Sequence, residues 1–390
     1  MNCAFFCRLA SSVTYQKRKQ TILETRMYLY LIFIILSAFS LLELLKLKFK
    51  SLPHLYISVF GLLIFIFFLL SSLRWETGTD WDSYYIYYLF LQSEITCIGY
   101  MEPGFTLLTS INANCFNYTS QMACIAFLSI APIAWRYKKI SPYPILSLLI
   151  WFCTSLAHIF PVRQSIAIAI FVFSWKYIQE KKLKPFLLSI FIAMTFHFTA
   201  IITIPIYFIW YKFYSKKVFI YTIITLSIFS LIIGDKMMNI TYSIGGAFLQ
   251  EKLQAYLGNP EETFGSAYTA SQILIRGIIN RSFFFIIPLL LLNKQRTEGN
   301  TLNAMTNLYF YSFCLFLLLT PLSPALGRFC SYTDMTQAIL LPYLFYYRIK
   351  SKINIYILYI IIIFYLGLRF KGVVNNYYDL YIPYNSILSK

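Results

Sequence analysis

Long apolar runs alternate with short charged segments along nearly the whole chain. A run of about 20 apolar residues, or fewer where the helix is bent, can cross the hydrocarbon core of a membrane. The pattern predicts helices near residues 27–45, 54–73, 119–135, 144–158, 162–178, 218–234, 271–293, 305–321, 333–347 and 353–369. A further apolar stretch, 185–211, fits either one long helix or two short helices that meet near His197.

Composition favours a polytopic membrane protein over a soluble enzyme. Of the 390 residues, 59% are hydrophobic and 12% are charged, whereas soluble domains average about 45–50% apolar and about 25% charged residues. No internal repeat or low-complexity linker appears, so residues 27–390 are predicted to form a single all-α transmembrane domain. The formal charge is +18. It is not arranged as a basic stripe with interleaved aromatic residues, which argues against a nucleic-acid partner.

Basic clusters set the predicted orientation, because Lys and Arg concentrate in the cytoplasmic loops of membrane proteins. Eighteen basic residues form six clusters between the apolar runs: Lys46/Lys48/Lys50, Arg136/Lys138/Lys139, Lys176/Lys181/Lys182/Lys184, Lys212/Lys216/Lys217, Lys294/Arg296 and Arg348/Lys350/Lys352. If all six are cytoplasmic, the stretch 185–211 must be a hairpin with His197 near its outer tip. The result is about 11–12 transmembrane helices, with outward loops at 74–118 and 235–270.

The first 26 residues do not follow this rule. This N-terminal extension is basic, yet the predicted topology places it outside. One hypothesis is that the natural chain starts at Met27, where the first apolar run opens directly. N-terminal sequencing of the natural product would test it.

Six arginines lie in the outward loops or at the membrane edge, where a charge is costly. They are Arg74, Arg163, Arg276, Arg281, Arg328 and Arg369. Ionisable groups at such positions mark substrate or ion pathways by default, and the planar guanidinium suits bidentate contacts with phosphate. The alternative is that each arginine reaches the lipid headgroups and anchors a helix end.

Arg163 is the strongest candidate among these arginines. It follows Pro161 at the start of a predicted helix, and His158 lies just across the turn. A phosphate at this helix N-terminus would meet both the guanidinium and free backbone N–H groups.

The remaining outward arginines are weaker candidates. Arg276 and Arg281 are five residues apart, a spacing that does not align them on one helix face, so one of them is expected to act rather than both. Arg328 lies in a Pro/Gly-rich outer loop between two predicted helices. Loops of that kind often carry binding residues.

Two residues are candidates for acid–base chemistry. A lone histidine in an apolar stretch is usually a packed residue, but His197 at the tip of a hairpin would lie at a cavity. An imidazole there is a candidate general base or phosphate partner. Asp80 follows Gly78 and Thr79 in "RWETGTDWDSYYIYY", where a turn would expose its carboxylate to an outer cavity.

The same outward loop contains a further acidic residue and a group of tyrosines. Glu102 precedes a Pro-Gly turn in "YMEPGFTLLTSI", and the stretch that follows fits a re-entrant or interfacial helix. The four tyrosines among residues 84–88 are expected to form mostly an aromatic belt at the membrane surface. Sugar stacking is the alternative use, and Tyr84 is the candidate substrate contact.

Four motifs, in this order, resemble the EpsG family of Wzy-type exopolysaccharide and O-antigen polymerases. They are "RWETGTDWDSYY", "MEPGF", "VRQSIAIAIFVFSWKYI" and "FIAMTFHFTAIITIPIY". The resemblance covers about residues 70–390 and includes the terminal "YIPY". The family's motif positions map onto Arg74, Gly78, Thr79, Asp80, Tyr84, Glu102, Pro103, Arg163 and His197. The segment 235–330 matches poorly, so any role for its arginines depends on the physical argument alone.

The resemblance implies a multi-pass enzyme of the bacterial cytoplasmic (inner) membrane. It would join polyprenyl-diphosphate-linked oligosaccharide units at the outer face, and a chain-length regulator is a further candidate partner. The predicted catalytic residues are Asp80, His197 and Arg163, and the predicted substrate-binding residues are Arg74, Glu102, His158, Arg276, Arg281, Arg328 and Tyr84. The sequence shows no metal-ligand cluster, so we expect no cofactor and a metal-independent transfer.

Two other activities stay open at this point. A lipid-linked oligosaccharide flippase or transporter would share the transmembrane helices and a cationic cavity, although the two halves of the sequence do not match each other as transporter repeats often do. An outer-face ligase or a different glycosyltransferase would share the motif residues.

Overall fold

The structure is a computed structural model, and it describes residues 28–45, 53–78, 80–93, 101–156, 159–160, 162–244, 270–291, 301–322, 324–348, 351–376, 378–382 and 384–389. Its helices are α1 (Tyr28–Leu44), α2 (Pro53–Ser72), α3 (Trp81–Gln92), α4 (Pro103–Cys115), α5 (Tyr118–Ile140), α6 (Pro144–Thr154), α7 (Arg163–Gln179), α8 (Leu183–Phe196), α9 (Ile206–Ile209), α10 (Lys216–Ile244), α11 (Ala270–Leu291), α12 (Thr301–Leu319), α13 (Ser331–Asp334), α14 (Gln337–Arg348), α15 (Lys352–Asn376) and α16 (Tyr378–Tyr381). The other described elements are the 3₁₀ segments Phe198–Thr203, Pro324–Cys330 and Ile387–Ser389 and the strands β1 (Arg74–Trp75) and β2 (Asn385–Ser386).

The predicted all-α polytopic fold is confirmed. Among the described residues, α2, α5, α11, α12 and α15 are long and apolar enough to cross a membrane. The helices α1, α6 and α8 are shorter and apolar, as is the segment Phe198–Ile209. The predicted apolar helices coincide with observed helices to within a few residues at most ends, and the number of membrane crossings, about 11–12, stays a prediction.

The stretch 185–211 is a hairpin, as the charge pattern predicted. The helix α8 ends at Phe196, because His197 adopts an extended conformation that interrupts the helix. The 3₁₀ segment and α9 then lead back, so that the Tyr211 hydroxyl donates to the carbonyl of Ile178 at 2.6 Å. Because Ile178 lies just before the hairpin begins, both arms end at the same level and His197 lies at the opposite tip.

Three of the basic clusters, those around Arg136, Lys181 and Lys212, lie at one end of the bundle among the described residues. Arg136, near the end of α5, donates a hydrogen bond to the side chain of Gln179 at the end of α7. The side chain of Asn303, near the start of α12, donates to the carbonyl of Lys212 at 3.0 Å. These three clusters, all predicted to be cytoplasmic, therefore lie together, and the positive-inside rule predicts that the other ends of α5, α7 and the hairpin face outward.

Helices α3 and α4 form a second, smaller core within the outward loop. Tyr84, Tyr87 and Tyr88 are at most 4% exposed and pack with Phe105 and Tyr118. The rings of Tyr84 and Phe105 have centroids 5.0 Å apart, and those of Tyr88 and Tyr118 are 5.3 Å apart. The predicted aromatic belt is therefore wrong for these three tyrosines, because their rings pack between helices instead of facing lipid headgroups.

The C-terminal tail returns to the start of the outward loop and fixes it. The strand β2 pairs antiparallel with β1, and the Gly78 N–H donates to the carbonyl of Leu380 at 2.7 Å. The Tyr381 ring, from the "YIPY" motif, stacks on Phe160 with centroids 4.9 Å apart. The tail thus connects the turn before α3 to the segment before α7.

The predicted helix 333–347 is interrupted. The chain passes through the 3₁₀ segment Pro324–Cys330 and the single-turn α13 before α14 begins. Tyr332 is fully buried, and the carbonyl of Met335 accepts a hydrogen bond from the Tyr137 hydroxyl at 2.8 Å. The end of the segment predicted as an outer loop is therefore buried within the bundle, at Cys330 and Tyr332.

Candidate functional site

Residues from separate segments meet at the predicted outer end of the bundle. Arg163 begins α7 and forms an ion pair with Glu102, the residue before α4. The guanidinium carbon of Arg163 lies 5.9 Å from the ring centroids of both Tyr84 and Phe105. The two charged side chains are 25% and 24% exposed, so solvent can reach the pair while the cation rests against aromatic rings.

Tyr84 joins this ion pair to Asp80. Its hydroxyl donates to Asp80 Oδ2 at 3.4 Å and accepts the backbone N–H of Arg163 at 3.0 Å. Burial, and then the nearby Asp80 carboxylate, raise the pKa of Tyr84, so the hydroxyl stays protonated and serves as the donor. The expectation of free N–H groups at this helix start is wrong for the first of them, because Tyr84 already occupies the N–H of Arg163.

The turn before α3 presents Asp80 to solvent. Asp80 is exposed and has φ 56°, a left-handed conformation that aspartate adopts more readily than most residues. Gly78 has φ 102°, and a Cβ at this position would lie 2.5 Å from Nη1 of Arg74. Glycine is therefore required here, both for the backbone conformation and for the approach of Arg74.

Arg74 stabilises this turn from its buried side. It is 2% exposed, its Nη1 donates to the carbonyl of Thr77 at 3.4 Å, and its Nη2 lies 3.9 Å from Met122 Sδ. The structure does not favour the predicted role in substrate binding or headgroup anchoring, because the guanidinium is closed off from solvent. Arg74 is a positioning residue for the turn that carries Asp80.

His197 is held by a short chain of hydroxyl groups. Its Nδ1 is hydrogen-bonded to Thr199 Oγ1, and that hydroxyl lies 2.9 Å from the Tyr332 hydroxyl. With Nδ1 so occupied, Nε2 is the ring atom with no hydrogen bond to any described residue. The imidazole therefore has one fixed nitrogen and one nitrogen available to a substrate.

Burial and two nearby arginines keep His197 neutral. Burial is the largest cause that lowers the pKa of His197 to about 4, and Arg163 and Arg328 lower it further while Glu102 opposes them. The neutral imidazole is the form that accepts a proton. These electrostatic interactions also place His197 in the same neighbourhood as the Glu102–Arg163 pair.

Helix α4 approaches the hairpin closely at Gly104. A Cβ on Gly104 would lie 2.9 Å from the carbonyl oxygen of Thr195 and would overlap its side chain. Real Cβ atoms essentially never come this near to backbone oxygens. Glycine at this position therefore permits the contact that brings Glu102 toward His197.

Replacing Gly104 by alanine is expected to destabilise the protein by about 1–3 kcal/mol, because the added methyl group pushes α4 away from the hairpin. Gly61→Ala is the matched control: Gly61 is also helical, and a Cβ there meets nothing within 4 Å. The thermal unfolding midpoint of each purified variant would check this. Equal midpoints for the two variants would contradict the close contact.

The other predicted arginines lie elsewhere. The carbonyl of Arg328 accepts a hydrogen bond from Gln164, the neighbour of Arg163, at 2.9 Å, so Arg328 adjoins the site. Arg276 and Arg281 both line a separate cavity. The two arginines start about 140° apart around the helix, yet both long side chains reach this cavity. Their positions therefore give no reason to expect that only one of them contacts a ligand.

Two residues named by the sequence predictions, His158 and Thr79, lie outside the described residues.

Several residues near the site were missed by the sequence predictions. Thr199 and Tyr332 hold His197, and Gln164 links Arg163 to the segment of Arg328. The signal for Thr199 is its place two residues after His197, but Tyr332 and Gln164 carry no local signal because only the fold brings them close.

The site contains carboxylates, a paired guanidinium and a neutral imidazole. Within the described ranges, no group of three or more His, Cys, Asp or Glu side chains is arranged to hold a metal ion. Such a set can accept a proton and stabilise charge in a transition state.

These features define a polytopic membrane protein with a polar site at one end of its helical bundle. Residues 57–386 match the EpsG family. The chain belongs to the EpsG family, which is associated with exopolysaccharide polymerisation. No curated protein and no solved structure matches the chain.

Proposed function

We propose that this protein is a polysaccharide polymerase of the bacterial cytoplasmic membrane. It joins polyprenyl-diphosphate-linked oligosaccharide units, as found in exopolysaccharide, capsule or O-antigen synthesis, at the outer face. The observation that carries the proposal is the meeting of Asp80, Glu102, Arg163 and His197, from separate segments, at the end of the bundle opposite the basic clusters.

The proposed reaction is a single glycosyl transfer. A hydroxyl oxygen of the acceptor sugar forms a bond to the anomeric carbon of the donor sugar. The bond between that carbon and the diphosphate oxygen breaks, and the polyprenyl diphosphate leaves with the electron pair. The hydroxyl proton passes to the protein and from there to water, which restores the base for the next transfer. The balance needs no further reactant, and we propose that the transfer needs no metal.

Each residue of the site has a role in this scheme. His197 Nε2 accepts the hydroxyl proton, and the nearby Glu102 carboxylate stabilises the imidazolium that forms. Arg163 faces the negative charge that develops on the leaving oxygen, where a fixed cation acts most strongly. The Asp80 carboxylate is exposed and accepts a long hydrogen bond from Tyr84 at Oδ2, and it binds hydroxyl groups of the acceptor sugar.

A flippase and a ligase are the competing functions. A flippase would need no base for a sugar hydroxyl, since moving a lipid-linked glycan breaks no bond. A ligase would use the same residues on a different acceptor, so only the product separates it from a polymerase.

Analysis of lipid-linked glycans in cells with and without the protein tests the proposal. Without it, single repeat units should accumulate on their carrier at the outer face, and restoring it should convert them into long chains. In cells without the protein, accumulation of single units at the cytoplasmic face would favour the flippase, whereas accumulation of already long chains on the carrier would favour the ligase.

A further inference from the structure

A second polar region lies beside the site and has no role in the scheme above. A cavity of 690 Å³ opens between the end of α6 and helices α11, α12 and α15. Among the described residues, three arginines line it, Arg276, Arg281 and Arg369, against one acidic residue, Asp334. The walls also contain apolar side chains, including Leu156, Ile273, Leu368 and Val373.

Arg281 is fixed in the wall of this cavity. Its two terminal nitrogens lie 2.5 and 2.7 Å from the two Asp334 oxygens, and Nη1 also lies 3.0 Å from Ser312 Oγ. The guanidinium carbon is 4.6 Å from the Phe316 ring centroid. Asp334 therefore neutralises the charge of Arg281.

Arg369 lacks such a counterion. It forms no ion pair with any described residue, and its Nε is buried with no hydrogen-bond partner. A buried donor of this kind is costly unless a partner completes it. Near the end of a membrane helix, that requirement points to an anion that binds in the cavity.

The cavity and the site share a wall. Gly327 lines the cavity, and the next carbonyl along the chain, that of Arg328, accepts the hydrogen bond from Gln164 beside Arg163. The 3₁₀ segment Pro324–Cys330 therefore borders both regions.

We infer that this cavity binds the diphosphate of the polyprenyl carrier. Arg276 and Arg369 contact the diphosphate directly, whereas Arg281 stays paired with Asp334. Two joined phosphates offer enough oxygens for two guanidinium groups, each with charge-assisted hydrogen bonds. The apolar walls suit the first isoprene units. The inference rests on the proposed function for the identity of the carrier, but its binding step can be measured alone.

The test uses the full chain in nanodiscs of neutral lipid, with farnesyl diphosphate as the probe. Farnesyl diphosphate carries no sugar, so binding does not depend on polymerisation. We expect Arg369→Gln to weaken binding at least about tenfold, and Lys371→Gln to leave it unchanged. Lys371 is an exposed cation on the same helix that does not line the cavity, so the pair controls for net charge.

The comparison ligands distinguish the sources of phosphate. Farnesyl monophosphate, inorganic diphosphate and anionic phosphatidylglycerol should each bind more weakly than farnesyl diphosphate. Equal binding of any of them, or equal affinity of the two variants, would overturn the inference. If Arg369→Gln does not fold, Arg276→Gln supplies the same comparison, because Arg276 is exposed.

Failure of the site and failure of the function are separable. Arg369-dependent binding of farnesyl diphosphate in a protein that makes no polymer would keep the site and remove the polymerase. Polymer synthesis in a protein whose binding of farnesyl diphosphate does not depend on Arg276 or Arg369 would keep the polymerase and remove the site.

Discussion

Arg163→Ala is expected to abolish long-chain glycan while the protein stays in the membrane. The substitution removes the cation proposed to face the leaving oxygen, and it leaves Glu102 with no ion-pair partner. Loss of one preorganised group that stabilises developing charge costs about 10²–10³ in rate. Single repeat units should accumulate on their carrier.

Two further variants separate catalysis from stability. Arg163→Lys keeps a charge for Glu102 but loses the planar guanidinium, so it should retain the fold and only part of the activity. Glu102→Gln removes the carboxylate and frees Arg163. Normal chain length in Arg163→Ala, at matched membrane levels, would contradict a role for Arg163 in the reaction.

His197→Ala is expected to lower the rate of transfer by about 10²–10⁴, the usual contribution of a general base. His54→Ala is the matched control, since His54 is exposed at the start of α2 and distant in sequence from the site. Glycan chain length and membrane level should be measured for both. Equal loss in the two variants would show that His197 only packs.

The pH dependence gives an independent check on His197. Because burial lowers its pKa to about 4, the imidazole is neutral and able to accept a proton throughout the range from about pH 6 to 8. Activity of the purified protein should therefore not fall as the pH drops through 6.5, the ordinary pKa of histidine. A half-maximal rate near pH 6.5 would contradict the buried, neutral His197.

Much of the fold followed from simple patterns in the sequence. Apolar length placed the helices, and the distribution of Lys and Arg required the hairpin around His197, which the Tyr211–Ile178 hydrogen bond confirms. Charge in outward segments identified Asp80, Glu102 and Arg163 one by one. The sequence could not show that Glu102 and Arg163, sixty-one positions apart, form an ion pair.

The failures have physical causes. A group of tyrosines at a membrane edge and a group in a small core look the same in a sequence. The burial of Tyr84 could not be predicted, because it depends on packing against α4. Arg74 looked exposed because it follows an apolar helix, yet the C-terminal tail covers it. Glu43 drew no attention within an apolar run, although its buried carboxylate accepts the backbone N–H groups of Ile145 and Leu146 at the start of α6.

The most direct test of the account is polymerisation by the purified full chain in vesicles that contain only the polyprenyl-diphosphate-linked repeat unit, with a metal chelator present. The account predicts glycans several units long and one free polyprenyl diphosphate released for each new linkage. Absence of any product longer than one unit, with the protein folded and the substrate intact, would contradict it.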